Sequence, residues 1–99
     1  MRSIKKLVDH IEEEIEGAKE YAENYIEYKA KGNIQRANKY RDMASDELNH
    51  AMTVHEFAVQ DIEQLSKVYT APVEMLEKWE HAHKIALEEV ALIKQILSM

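Results

Sequence analysis

Glu47 and His50 stand three residues apart in the run Asp46-Glu47-Leu48-Asn49-His50. On a helix, residues at that spacing project from one side, so a carboxylate oxygen and an imidazole nitrogen can reach one cation together. Glu47 is in line with Tyr40, Ala44, Ala51 and Val54, and Glu14 with Ile11, Ala18 and Tyr21. A carboxylate on an apolar stripe is costly unless it is protonated, paired or bound to a cation. The chain has no cysteine, which excludes disulfides, thiol nucleophiles and thiolate metal sites, so any metal must be held by His, Asp and Glu. A Glu-x-x-His alone in a Glu-rich helical chain is more often a solvated rim than a site. Glu12, Glu13 and Glu16 fall toward such rims.

Three helices must position these groups. The first apolar stripe runs from Ile4 through Leu7, Ile11, Ile15, Ala18, Tyr21, Ala22, Tyr25 and Tyr28, with Ser3 as cap and an end at about Ala30. Gly32-Asn33 then supplies a C-cap and a tight reversal. The second stripe, Ile34 to Leu65, makes a helix over about residues 34–67, and the third, Val73 to Leu97, a helix over about 72–98 with Pro72 in its first turn. Short turns between long helices impose an antiparallel, up-down-up arrangement. The fold class is all-α: one domain over residues 1–99, built of three long antiparallel helices. Its modest core is expected to be completed by homo-oligomerisation.

Composition narrows the function. Two glycines and one proline leave no turn chemistry for a β-sandwich, and a formal charge of −6 argues against a nucleic-acid backbone as partner. No apolar run approaches a membrane span, and the start, MRSIKKLVDH, lacks the apolar block of a signal peptide, so a cytoplasmic location is expected.

The first turn also sets a register. Glu14 lies 18 residues before Gly32 and Glu47 lies 15 after it, which puts the two carboxylates on nearly the same rung, within about 4.5 Å at 1.5 Å per residue. A second inward Glu at the level of Glu47-x-x-His50 turns the balance toward a cation site. A second Glu-x-x-His, Glu80 and His83, lies on the third helix, but from a turn near Tyr69, Glu47 is 22 residues back and Glu80 only 11 forward. His83 instead comes level with His55, about 7.5 Å along the helix from His50. Glu80 and His83 are therefore lower-ranking ligand candidates, and a His55–His83 contact either extends the site or is a structural polar pair. His10 and His81 face solvent in this reading. Tyr21, Tyr25, Tyr28 and Tyr40 are core by default, and Met43, Met52, Met75 and Met99 are packing residues.

Glu14 with Tyr21 seven residues on, and the spaced Ala37, Tyr40, Ala44, Glu47-Leu48-Asn49-His50-Ala51, resemble the first helical hairpin of the ferritin-like superfamily, in particular rubrerythrin and encapsulated ferritin. The likeness covers residues 14–51 without a gap. It departs at Gly17, which stands where a small residue is usual with Ala18 beside it, so Glu13 and Glu16 are alternatives to Glu14 under a slight rotation. The resemblance implies a carboxylate-bridged di-iron centre in a four-helix bundle, of which this chain carries half. A two-fold homodimer or higher oligomer would supply the other half. Glu47 would bridge, while Glu14 and His50 would be terminal ligands; the same three residues would be the catalytic ones in a ferroxidase oxidising Fe(II) with dioxygen or peroxide. Manganese or zinc suits the same donors. The resemblance also implies that Tyr21 bonds a bridging carboxylate or carries an electron. The lack of cysteine removes the rubredoxin-type iron module of a self-contained rubrerythrin.

The rival from another class is a non-enzymatic helical interaction protein whose third helix docks a partner. It accounts for the acidic surface but leaves the co-level Glu14, Glu47 and His50 unexplained. Haem held by His50 or His55 is a third possibility, disfavoured by the Glu beside each His.

Overall fold

The computed structural model describes the backbone of residues 2–68 and 73–99. It contains α1 (Arg2–Ala30), α2 (Ile34–Val68) and α3 (Val73–Leu97), and no strand among the described residues. The helix ends agree with the sequence periodicity to within one or two residues. α1 already includes Ser3, which therefore lies inside the helix rather than capping it. The start assigned to Thr70, Ala71 and Pro72 lies outside the described residues. No described helix is long and apolar enough to cross a membrane.

The α1–α2 turn is built by two residues with complementary jobs. Gly32 takes φ +80°, the left-handed region open to glycine, and ends α1. Its N–H bonds the Lys29 carbonyl at 3.1 Å and the Asn33 N–H bonds the Tyr28 carbonyl at 3.0 Å, a Schellman closure of the helix. Asn33 then caps α2, its Oδ1 accepting from the Arg36 N–H at 3.2 Å. Above the turn, Tyr28 stacks on Tyr40, centroids 5.5 Å apart, with the Lys31 and Arg36 cations over the Tyr28 ring. The reversal is therefore held from both the backbone and the side chains, which locks the register of the hairpin.

Along the α1–α2 seam the interior is mostly alanine. Ala18, Ala22, Ala44, Ala51 and Ala58 are each exposed by 1% or less, interleaved with Ile11, Ile15, Leu48 and Val54. Small side chains let the two backbones approach closely, so groups flanking the seam on either helix can meet. α3 adds Met75, Trp79, Val90 and Ile93 to this core. It runs parallel to α1 and antiparallel to α2, because the Lys29 ammonium at the end of α1 reaches the carbonyl oxygen of Met99. The product is a rod of 56 × 18 × 17 Å. At that width no side chain is far from solvent, and no charged or polar residue is buried among those described.

α3 occupies one side of the hairpin. A small cavity is lined by Val8, Ile11 and Glu12 of α1, His55 of α2 and Trp79, Ala82, His83 and Ala86 of α3. Glu12 and Glu14 point about 200° apart around α1, and His50 and His55 about 140° apart around α2. Glu14 and His50 thus face the opposite side, where a groove between α1 and α2 stays open.

Candidate metal centre

Glu14, Glu47 and His50 each offer a donor atom, and these atoms lie within 4.8 Å of one another. His50 Nδ1 is 3.5 Å from Glu14 Oε2 and 3.8 Å from Glu47 Oε1. Both carboxylates are half-buried on the flank of the alanine seam, while the His50 side chain is 61% exposed. The sequence reading placed both carboxylates on the core stripe; the structure sets them at its edge, facing the open groove. Of the acidic residues on that stretch of α1, Glu14 is the one that meets Glu47, and Glu12, Glu13 and Glu16 are exposed.

The two carboxyls are hydrogen-bonded to each other. That bond raises the proton affinity of Glu47 above the usual carboxylate range, helped by burial and by the negative charge of Glu14. The same bond holds Glu14 below its ordinary value, with smaller contributions from His10 and His50 working the same way. The opposite shifts have one origin: two carboxylates side by side resist ionising together, so Glu47 is the weaker acid of the pair and Glu14 the stronger.

Gly17 forms the floor of this arrangement. A Cβ built there would stand 3.1 Å from Glu47 Oε2, so the missing side chain is what lets the Glu47 carboxylate lie across α1. A donor set of two carboxylates and one imidazole with a glycine cradle beneath it fits iron, manganese or zinc.

His10 belongs to the same face. Its Nε2 lies 3.1 Å from Glu14 Oε1, one turn before it on α1. The sequence reading gave this residue no role; the signal was its spacing of four from Glu14, which puts the two side chains together on any helix.

The second Glu-x-x-His does not join this cluster. Glu80 is exposed, and His83 lies on the α3 side of the hairpin, its Nδ1 at 2.5 Å from His55 Nε2. Register brought His83 level with His55, and the rotation of α2 separates that face from His50. Trp79 packs against both rings, with centroids 5.4 Å from His55 and 5.5 Å from His83. Burial, with the neighbouring His83 second, lowers the proton affinity of His55, and the pair forms a polar clamp between α2 and α3. Tyr21 packs on Tyr40 at 6.2 Å and so continues the Tyr28–Tyr40 stack toward the carboxylates. Met75 is core, whereas Met43 and Met99 are exposed.

No protein-family model, curated protein or solved structure matches this chain. What the fold and the site define is an all-α protein of three long helices with a carboxylate–histidine cluster on its open groove.

Proposed function

We propose that the protein binds a di-metal, di-iron centre in the manner of the ferritin-like superfamily and acts as a ferroxidase. The observation that carries this reading is the convergence of Glu14, Glu47 and His50 from two helices within 4.8 Å, over a glycine that leaves room for Glu47. Hydrophobic packing alone gives no reason to bring two carboxylates into contact beside an imidazole.

In this reading Glu14, Glu47 and His50 would hold the metal, and its charge would offset the repulsion that makes Glu47 the weaker acid of the pair. Iron supplies the redox chemistry: two Fe(II) each give one electron, with two protons, to hydrogen peroxide, released as two waters, or to dioxygen, released as hydrogen peroxide. The His50 imidazole would contribute a nitrogen donor that favours a transition metal over calcium or magnesium. Mn(II) and Zn(II) suit the same donors.

A second copy of the chain over the open groove would bring its own Glu14, Glu47 and His50 and exclude water. Met43 and Phe57, each seven residues from His50 on α2, are exposed along that groove and give such a copy apolar surface to cover.

The test is elemental analysis after aerobic Fe(II) loading, on the wild type and on Glu47→Ala/His50→Ala. About one iron per chain, lost in the double variant, is the expected result for a centre shared across a two-fold. No stoichiometric metal in the wild type would overturn the reading.

A specific observation favours one other reading, a helical interaction protein. Ile85 and Leu92 are exposed seven residues apart on α3, and exposed Met99 follows at the same interval just beyond its end, the spacing of a helix-docking seam. That reading leaves the contact between the carboxylates without a purpose, and it requires stability to be indifferent to divalent metal.

A further inference from the structure

Glu14 is held from two directions. Its Oε2 faces His50 Nδ1 at 3.5 Å, across the groove on α2, while its Oε1 lies 3.1 Å from His10 Nε2 on its own helix. A carboxylate oxygen only accepts, so His10 carries its hydrogen on Nε2 and donates it. That leaves one Glu14 oxygen tied back along α1 and turns the other toward Glu47 and His50. A glutamate has three rotatable side-chain bonds, and on this half-exposed helix face Glu47 and His50 engage Glu14 from α2 while His10 is its partner on α1. Tyr21, further along the groove, is engaged with Tyr40 instead.

We propose that His10 is a positioning residue of the metal centre, acting through Glu14: its Nε2–H holds Oε1 so that Oε2 is presented to the cation. This inference rests on the metal-binding reading of Glu14, Glu47 and His50. Partners that hydrogen-bond a metal-ligating side chain are commonly worth about 10–100-fold in affinity, because they prepay the ordering of the ligand. His10 itself is half exposed and outside the core, so its replacement leaves packing intact.

The experiment is a titration with Co(II) alone, followed by its visible absorption and by calorimetry, on wild type, His10→Ala, His10→Gln and Glu47→Ala/His50→Ala. His10→Ala is expected to bind the same number of cations per chain as wild type, about 10–100-fold more weakly. His10→Gln, whose amide N–H reaches as Nε2 does, is expected to recover most of the loss. Unchanged affinity in His10→Ala overturns the inference, as does the loss of a bound cation from both His10 variants, which would make His10 a direct ligand. Wild type that binds no Co(II), or a double variant that binds as well as wild type, overturns the metal-binding reading itself and the inference with it. Circular dichroism of His10→Ala and His10→Gln checks that both keep the helical fold.

Discussion

The Glu47 carboxylate rests on Gly17, where an added Cβ would stand 3.1 Å from Oε2. A glycine in the middle of a 29-residue helix weakens that helix, since alanine is favoured there by about 1 kcal/mol. Gly17→Ala is therefore expected to raise the melting temperature of the metal-free protein while weakening cation binding, because Glu47 must shift by a few tenths of an ångström. Thermal melts and a Co(II) titration on the same variant measure both effects. A gain in stability with affinity untouched would mean that Glu47 does not need the cradle.

Cation binding should stabilise the fold. A ligand at 100 times its Kd adds about 2.7 kcal/mol to a folded state that binds it exclusively. For a domain of this size that corresponds to a rise in Tm on the order of 10 °C or more. Glu47→Ala/His50→Ala is expected to abolish the rise, and a melting series in Zn(II) or Mn(II) reads it directly. A Tm independent of metal in wild type would favour the interaction-protein reading.

His55 sets a pH dependence on the other side of the hairpin. Its folded-state proton affinity is lowered by burial and then by His83, with Glu56 opposing; Glu12 of α1 lines the same small cavity, and Glu80 stands one turn before His83. A base that is harder to protonate when folded binds more protons in the unfolded chain, so its contribution favours unfolding as the pH falls. The loss begins near the ordinary imidazole value of about 6.5 and levels off below the lowered folded value. Urea denaturation of the metal-free protein from neutral to mildly acidic pH should show this decline. His55→Leu should flatten it, and an equally steep decline in that variant would place its origin elsewhere.

The α1–α2 turn offers a prediction that leaves chemistry out. Asn33→Ala removes the cap on the Arg36 N–H and is expected to cost about 1 kcal/mol. Gly32→Ala forces a Cβ into φ +80° and is expected to cost about 1–2 kcal/mol. Chemical denaturation measures both, and helicity at low denaturant should stay unchanged.

Much of the hairpin was legible in the residue order. Stripes at three and four spacing define each helix, Gly32-Asn33 defines the reversal, and a short turn between rigid helices makes register a matter of about 1.5 Å per residue. That is why Glu14 and Glu47 could be paired, and His83 with His55, by counting along the chain. Azimuth was less legible. Periodicity says that a face is covered without saying by which neighbour, and a third helix can lie on either side of a hairpin. Packing of Trp79, His83 and Ala86 against Ile11, Glu12 and His55 decided that α3 lies away from Glu14 and His50. That choice parted the second Glu-x-x-His from the first and left the groove open beside the carboxylates, because side-chain direction depends on helix rotation and rotation is set by the packing of all three helices together; the His10–Glu14 contact, at a spacing of four, needed only the helix.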